Sequence, residues 1–192
     1  MVKELSVSVR GTSPLLMNSP QGVNPTHPLV KEMKSISKLR NRTDDQEERI
    51  MEIKWELGLY YDKEIGVYLP SDYFQACLRE AAKTGRKGRD VVKGIWVNPA
   101  FIPLIYEGPR LVKDLMEDMR FRDVRPGKLK KTTSILLCRP RFNVWSAKFS
   151  IVYDEAVWQK EDILKFLEIG GRFCGVGDYR PRYGTFEVFE HD

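Results

Sequence analysis

The sequence has few of the residues on which most enzymes and secreted frameworks depend. It contains two histidines, His27 and His191, and three widely separated cysteines, Cys77, Cys138 and Cys174. An odd number of cysteines without CxxC spacing argues against a disulfide framework and gives no zinc signature. We therefore expect a reducing, cytoplasmic location, and no metal or other cofactor.

Long apolar runs are also absent. No stretch approaches the 18 apolar residues of a transmembrane helix, and the chain opens with alternating residues rather than with the apolar run of a signal peptide. Its 192 residues, 42% hydrophobic and 31% charged, have the composition of an ordinary globular protein. We expect a single domain over 1–192 and no membrane partner.

Positive charge is concentrated in one window. The 32 Lys and Arg exceed the 27 Asp and Glu by five. Residues 120–148 hold nine basic residues and one acid, so this window has a net charge of +8 and the remainder has −3. A concentrated basic segment predicts a polyanion as partner. The predicted phosphate contacts of this window are Arg122, Arg125, Lys128, Lys130, Lys131, Arg139 and Arg141.

Residues 170–184 combine five glycines, three arginines and three aromatic rings. Glycine lets backbone N–H groups approach a ligand, arginine suits phosphate, and aromatic rings stack on bases. The alternative for the first two glycines is a helix C-cap. The predicted contacts are Gly170, Gly171, Gly175, Gly177 and Gly184 for a glycine-rich loop, Arg172, Arg180 and Arg182 for phosphate, and Tyr179 and Tyr183 for stacking.

The order of the periodic segments predicts an α+β fold. Period-2 alternation predicts strands over 4–10, 143–153 and 185–189, and a strand interrupted by prolines over 94–105. Helical periodicity follows Thr43 and Ser71 and recurs over 160–169. Strand, helix, two strands, helix and strand make a ferredoxin-like (split βαβ, RRM-like) core with insertions.

Two insertions and one basic turn interrupt this core. Proline, glycine and asparagine in 15–43 predict a long loop, and 106–131 predicts a basic insertion, either a hairpin or a protruding loop. The helix after Ser71 ends in a basic, glycine-containing turn. Cations at a helix C-terminus are often structural, but Arg86, Lys87 and Arg89 are also predicted phosphate contacts.

Short segments of the chain resemble a known family. Tyr68-Leu69-Pro70-Ser71, leading into 73–82, resembles the strand–Pro–Ser–helix entry of the RAMP superfamily, the ferredoxin-like RNA-binding proteins of CRISPR systems. Residues 171–184 lie where these proteins have their glycine-rich loop. The segment 11–17, taken together with the end of the chain, is similar to stand-alone phage and prophage relatives of CRISPR backbone subunits. The chain differs from these proteins in two ways. It lacks their glycines at the helix entry, and its glycine-rich segment has the inserted residues 178–183.

The resemblance implies how such a chain acts. Backbone subunits of the family polymerise along RNA and hold its phosphates with basic loops. It therefore implies single-stranded nucleic acid, RNA favoured, as the partner, with self-association along the strand or docking to a CRISPR effector. If the chain is phage-encoded, its location is the cytoplasm of a bacterial host.

The sequence favours a non-catalytic binder of single-stranded nucleic acid. One alternative is a protein-interaction module that acts on a host CRISPR effector. Another is a metal-independent endoribonuclease with His27, in the 15–43 segment, as general base; a solvated loop histidine is the plainer interpretation. No Ser/His/Asp set, Cys/His set or dinucleotide pattern is recognisable. We expect the basic segments to converge on one groove.

Overall fold

A computed structural model describes residues 1–129 and 133–191, which form an α+β fold. The strands are β1 (Val2–Gly11), β2 (Leu15–Leu16), β3 (Tyr61–Asp62), β4 (Gly66–Pro70), β5 (Ile95–Asn98), β6 (Phe101–Ile105), β7 (Arg122–Leu129), β8 (Thr133–Phe142), β9 (Ser146–Asp154) and β10 (Phe186–His191). The helices are α1 (Pro28–Ser37), α2 (Asp44–Gly58), α3 (Ser71–Ala82), α4 (Gly88–Gly94), α5 (Val112–Glu117) and α6 (Lys160–Phe173).

The chain divides into two compact units. Unit 1 consists of Met1–Leu15, Tyr61–Glu107 and Phe142–Asp192, and unit 2 of Leu16–Tyr60 and Gly108–Arg141. Most of both predicted insertions, 15–43 and 106–131, therefore falls in unit 2. The arrangement as one domain with two insertions stays a prediction.

Unit 1 is built on an antiparallel sheet with the strand order β10-β1-β9-β6-β4-β3. β5 and β6 both pair with β9, one after the other, so they act as one interrupted strand. With α3 before this pair and α6 between β9 and β10, the core follows the βαββαβ order of a ferredoxin-like fold. The predicted fold class is confirmed.

Period-2 alternation gives this sheet one buried face. Leu5, Val7 and Val9 of β1 are buried, while the residues between them point to the other side. The ring of Phe74 from α3 packs 4.3 Å, centroid to centroid, from that of Phe149 on β9. Burial of each such side chain contributes about 2 kcal/mol. Side chains on the opposite side of the sheet remain accessible.

One side chain closes an edge of this sheet. The Val97 N–H donates to Gln75 Oε1 at 3.2 Å, and Gln75 Nε2 donates to the Ile95 carbonyl at 2.9 Å. Gln75 on α3 therefore satisfies backbone groups of β5 that a neighbouring strand would otherwise pair with.

Unit 2 packs α1 on α2 and includes a sheet of order β2-β8-β7. Val30, Ile53 and Leu57 form its buried helix contact. α2 begins with a capping box, in which the Gln46 N–H donates to Thr43 Oγ1 and the Thr43 N–H donates to Gln46 Oε1. The sequence prediction of this helix is confirmed.

The long loop expected over 15–43 is wrong in part, because Pro28–Ser37 is helix α1. Proline is well suited to the first turn of a helix, where its missing N–H has no intrahelical partner. Here Pro28 starts α1, and Leu29, Val30, Met33 and Ile36 form the stripe that packs on unit 2's core. Pro28 therefore marks the start of a helix, although proline in a polar segment also favours a loop.

The other insertion, 106–131, contains helix α5 and β7, which is the first strand of a hairpin. β7 and β8 pair in register from Arg122 opposite Pro140 to Leu129 opposite Thr133. Residues 130–132 lie outside the described residues.

Candidate nucleic-acid interface

The glycine-rich segment begins inside a helix. α6 runs through Gly170 and Gly171 to Phe173, so neither a C-cap nor a ligand loop forms at these two glycines, and both predictions are wrong. A Cβ on Gly170 would lie 2.7 Å from the Cys77 sulfur, and one on Gly171 would lie 2.8 Å from the Phe186 ring. Both glycines therefore allow close packing of α6 on α3 and β10.

Backbone N–H groups of the turn after α6 donate to backbone carbonyls of the protein. The Gly175 N–H donates to the Gly170 carbonyl at 2.8 Å, and the Val176 N–H donates to the Gly184 carbonyl at 2.9 Å. The Gly184 N–H donates to the Pro14 carbonyl, outside the turn, at 2.9 Å. Gly175 has φ of +68°, a conformation that favours glycine. The amides of Gly175 and Gly184 thus close the turn and do not form the expected phosphate cradle.

Side chains of the same turn do face outward. Arg180 and Arg182 are exposed, and Tyr179 keeps 41% of its surface accessible. Tyr183 is half-buried and packs against Tyr179 with ring planes at 80° and centroids 6.5 Å apart. Tyr179 is therefore the better-placed ring for a base. Gly177, at φ of +79°, contributes a bend to this turn.

The basic turn after α3 is divided between structural and exposed side chains. Lys87 Nζ donates to Asp162 at 2.6 Å and lies 5.4 Å from the centre of the Trp158 ring. Lys87 is therefore occupied, and its prediction as a phosphate contact is not supported by its surroundings. Arg86 and Arg89 are exposed.

Two arginines of the basic window are tied into unit 2. The Arg122 side chain is 6% exposed, pairs with Glu48 of α2 and donates to the Met116 carbonyl. Arg125 pairs with Asp123 through both carboxylate oxygens. These are corrections, because a buried or doubly bonded guanidinium has little left to offer a phosphate. The sequence did not show them since Glu48 and Arg122 are 74 positions apart.

The remaining cations of the window lie on β8 or at the hairpin end. Arg139 and Arg141 are half-buried and share one face of β8. Arg139 stands opposite Asp123 in the ladder. Lys130 and Lys131 lie outside the described residues, and the Lys128 side chain is not described. Arg139 and Arg141 belong to unit 2, whereas Arg172, Arg180 and Arg182 belong to unit 1. Convergence of all these cations on one groove stays a prediction.

The candidate base for RNA cleavage has a structural role. His27 is the N-cap of α1, and its Nδ1 accepts a hydrogen bond from the Leu29 N–H at 3.3 Å. A proton on Nδ1 would break this cap. Nothing around His27 therefore favours the nuclease alternative.

The cysteines are not activated nucleophiles. Burial raises the pKa of Cys77 to about 12 and that of Cys138 to about 11. The pKa of Cys174 is also raised, chiefly by burial. A thiol reacts as the thiolate, so these environments suppress reactivity. Among the described residues, no cluster of three or more His, Cys, Asp or Glu could hold a metal.

The accessible side of the unit 1 sheet carries a mixed set of cations and aromatic rings. We call this surface the open face. It contains Ser6, Ser8 and Arg10 of β1, Ser146, Lys148 and Ser150 of β9, Trp96 and Asn98 of β5, Phe101 and Ile105 of β6, and Glu187 and Phe189 of β10.

Three of these side chains lie together. The Arg10 guanidinium carbon is 5.5 Å from the centre of the Phe189 ring, and Ser8 stands between Phe189 and Lys148 in the two ladders. They border a shallow depression of about 340 Å³. Phe189 is 42% exposed. A ring beside two cations can stack on a base while the cations contact phosphate.

Sequence reasoning missed this site although the signal was present. Alternation placed Arg10 and Lys148 on the side of their strands opposite the apolar residues, where charged side chains are ordinarily just solvated. Only the pairing of β1 with both β9 and β10 brings Lys148 and Phe189 to either side of Ser8. That pairing joins residues more than 130 positions apart, which local patterns do not specify.

Within the described ranges, no helix has the length and apolar content needed to cross a membrane.

Comparisons with known proteins give a fold and no sequence relative. No protein-family model matches the sequence, and no curated protein is similar to it. Among solved structures, the chain is similar to one described as "Cryo-EM structure of the Type III-B Cmr-beta bound to cognate target RNA", with a TM-score of 0.53 and 13% identity. The likeness covers 97% of this chain and 59% of that one. At this identity the likeness shows a shared fold, and the fold agrees with the ferredoxin-like architecture expected from the sequence.

Proposed function

We propose that this chain is a CRISPR-related, non-catalytic binder of single-stranded nucleic acid, with RNA as the preferred ligand. The observation that carries the proposal is the open face, where Arg10, Lys148 and Phe189 lie around one depression. Cations supply sequence-independent attraction to phosphates, and an exposed ring supplies stacking. RNA is preferred because the structural neighbour is described as bound to target RNA.

The exposed turn after α6 provides further candidate contacts. Arg180 and Arg182 are accessible there, beside Tyr179. Arginine forks suit phosphate oxygens. Replacing both arginines by alanine should weaken binding to every RNA sequence alike, because phosphate contacts carry little sequence information.

Fluorescence anisotropy with a labelled single-stranded RNA of mixed sequence tests the proposal. If about five phosphates are neutralised, the log–log slope of affinity against salt is about −3.5, at roughly −0.7 per contact. The variant with Arg10→Ala and Lys148→Ala should bind at least about tenfold more weakly at low salt, with a slope reduced by about 1.4. Phe189→Ala should lower RNA affinity about tenfold, because it removes a stacking ring, and should leave the salt slope unchanged.

A matched control removes the same charges elsewhere. Lys3→Ala with Arg120→Ala also removes one lysine and one arginine, but both are exposed and already paired, Lys3 with Glu155 and Arg120 with Asp118. This variant should bind RNA within about twofold of the parent. A flat salt response, or equal losses in the two double variants, would reject the open face as the binding surface. The same oligonucleotide as DNA measures the preference for RNA.

The second candidate function is docking on a protein of a CRISPR effector. Trp96, Phe101 and Ile105 on the open face are each close to half exposed, and exposed rings are common anchors at protein interfaces. This alternative predicts a stoichiometric complex with effector protein and little affinity for free RNA. Loss of that complex in Trp96→Ala, with RNA binding absent from the parent, would favour it.

A further inference from the structure

Helix α1 of unit 2 presents a row of lysines to solvent. Its apolar stripe packs on the core of unit 2, and Lys31, Lys34 and the C-cap residue Lys38 lie on the other side. Their spacing of i, i+3 and i+7 places them within an arc of about 60° around the helix axis. All three are exposed. We call this row the lysine ridge; it is not among the sites predicted from sequence.

The charges of the lysine ridge are not neutralised by the protein. Within residues 1–129 and 133–191, none of the three lysines forms an ion pair. Two arginines of the same region do, because Arg42 pairs with Glu47 and Arg49 pairs with Glu32. Glu32 is the one acid in the sequence of α1, and its two oxygens accept from Arg49 at 2.7 and 3.2 Å. This carboxylate is therefore held by α2 and not by the ridge.

The next acids along the chain have a different role. Asp44 and Asp45 lie in the first turn of α2, where negative charge stabilises a helix. Neither forms an ion pair with a ridge lysine in the part of the chain that the structure describes.

The spacing of the ridge lowers the stability of α1 when no ligand is bound. Like charges at i, i+3 and i, i+4 repel each other on a helix surface, and Lys34 has such a neighbour on each side. An acid at position 35 or 37 would relieve this repulsion, but both positions are serine. A bound polyanion would replace the repulsion by attraction.

The form of the ridge suits a regularly spaced row of phosphates. Lys31 and Lys38 are separated by about 10 Å along the helix axis, at about 1.5 Å per residue. One strand of a duplex has a phosphate about every 3.4 Å along its axis, so the ridge is as long as about three phosphate steps. Val30 packs with Ile53 and Leu57 of α2, which fixes the row in place. A rigid row binds a rigid backbone without the cost of ordering a flexible strand.

The ridge also lacks what single strands and acidic proteins require. The sequence of α1 contains no aromatic residue, so no ring of this helix can stack on an unpaired base. In a duplex the bases are already stacked, and the phosphates alone need a partner. Exposed ion pairs with a protein contribute little, whereas neutralising the phosphates of a duplex releases its condensed counterions.

We propose that the lysine ridge binds the phosphate backbone of a nucleic-acid duplex, with about one phosphate per lysine and without reading base sequence. RNA and DNA duplexes share this chemistry. The inference goes beyond the proposed function, which concerns a single strand on the open face of unit 1, and does not depend on it.

Fluorescence anisotropy of the full-length protein with labelled, blunt-ended RNA and DNA duplexes of one sequence tests the proposal. The variant with Lys31→Gln, Lys34→Gln and Lys38→Gln should bind a duplex at least about tenfold more weakly at low salt, with a log–log salt slope reduced by about 2.7, at roughly 0.9 per contact. The duplex that loses more affinity is the preferred ligand. Glutamine keeps helix propensity, and because the repulsion is removed, the urea midpoint should be no lower than that of the parent.

A matched control removes three exposed lysines that do not share an element. Lys63 follows β3, Lys113 lies on α5 and Lys165 lies on α6. The variant with all three changed to glutamine has the same net charge as the ridge variant and should bind duplex within about twofold of the parent, because its charges were never aligned.

Three results would overturn the proposal. The first is the absence of duplex binding by the parent, or equal losses in the ridge and control variants. The second is a loss of single-stranded RNA affinity as large as the loss of duplex affinity in the ridge variant. The third is competition by poly-L-glutamate as effective as that of unlabelled duplex, which would assign the ridge to acidic proteins. Arg10→Ala with Lys148→Ala should leave duplex affinity within about twofold of the parent, so that failure of the open face is separately visible.

Discussion

The two units treat their arginines differently. In unit 2, Arg42, Arg49, Arg120, Arg122 and Arg125 all form ion pairs with nearby carboxylates. In unit 1, the part of the chain that the structure describes gives no ion pair to Arg86, Arg89, Arg172, Arg180 or Arg182. These five arginines of unit 2 are therefore already paired with carboxylates, whereas the five arginines of unit 1 are exposed.

This difference shows that local charge density is a poor measure of what a ligand meets. The window 120–148 has a net charge of +8, yet several of its arginines are already neutralised by acids, some distant in sequence. Arg180 and Arg182 of unit 1, by contrast, are exposed. Availability for phosphate depends on long-range pairing, which the composition of a segment does not report.

Removing a buried arginine from unit 2 should have the largest effect. Arg122→Met leaves Glu48 without its partner and the Met116 carbonyl without its donor. We expect the free energy of unfolding to fall by about 2 to 3 kcal/mol. This is at the lower end for a broken buried pair, because Glu48 is 47% exposed.

Urea unfolding measures this loss, with Arg182→Met in unit 1 as the matched control. Arg182 is exposed, so its replacement should change stability by no more than about 0.5 kcal/mol. Equal losses in the two variants would remove the distinction between the units.

Replacing a glycine of unit 1 should have the next largest effect on stability, with a glycine of unit 2 as the control. The Cβ of Gly171→Ala would clash with the Phe186 backbone carbonyl and lie 2.8 Å from the Phe186 ring, so α6 and β10 must separate. Overpacking costs about 1 to 3 kcal/mol, and alanine's better helix propensity offsets about 1. We expect a net loss of about 1 to 2 kcal/mol in thermal or urea unfolding.

The unit 2 control is Gly22→Ala, whose Cβ would have no neighbour closer than 3.9 Å. Its stability should match that of the parent to within about 0.5 kcal/mol. A stable Gly171→Ala protein would instead support the helix-end interpretation of this glycine.

The labelling rates of the cysteine thiols show how readily each unit opens. At pH 9, a thiol with a pKa of about 11 is about 1% thiolate, and that of Cys77 is less ionised still. Cys174, which is partly exposed, should therefore react first with a thiol reagent. Cys77 and Cys138 should follow only as their units open.

Mass spectrometry of labelled peptides gives the rate for each thiol. Faster labelling of Cys138 than of Cys77 would mean that unit 2 opens more easily than unit 1. Labelling of Cys77 before Cys174 would contradict the burial described here.

The smallest effect concerns an exposed pair in unit 2. A hydrogen bond from Arg49 lowers the pKa of Glu32, so the folded pKa lies below the unfolded value. The pair's stabilisation is then present above the unfolded value of about 4.3 and is lost as pH falls through the folded pKa. Because Glu32 is 40% exposed, we expect no more than about 1 kcal/mol.

Unfolding of the parent and of Glu32→Gln at pH 7 and again near pH 3 measures the difference in their free energies of unfolding. This difference should be greatest at pH 7 and should shrink in acid. A difference that grew in acid would have the wrong sign for this pair.

Local patterns predicted the elements that have clear periodicity and caps. The alternation around Val7 and Phe149 gave two central strands, and Thr43 with Gln46 gave the start of α2. Local patterns also predict a loop from the prolines before α1 and a helix end at Gly171, and both are wrong. The packing of Gly171 against Phe186 is a tertiary contact, which a local pattern does not contain.

The candidate site was predicted less well than the fold. The exposed arginines and Tyr179 of the turn after α6 could be named from sequence, whereas the group formed by Arg10, Lys148 and Phe189 could not. Strand pairing creates that group, and ion pairs such as Glu48 with Arg122 remove others. Both depend on residues far apart in the chain.

The amide of Gln75 has a consequence for how copies of this protein can assemble. Because it already occupies the backbone groups of Ile95 and Val97, a strand from another molecule would have to displace both hydrogen bonds to extend the sheet there. One side chain therefore disfavours strand addition at that margin. If copies of this chain associate, we expect the contact to form through surfaces other than the outer edge of β5.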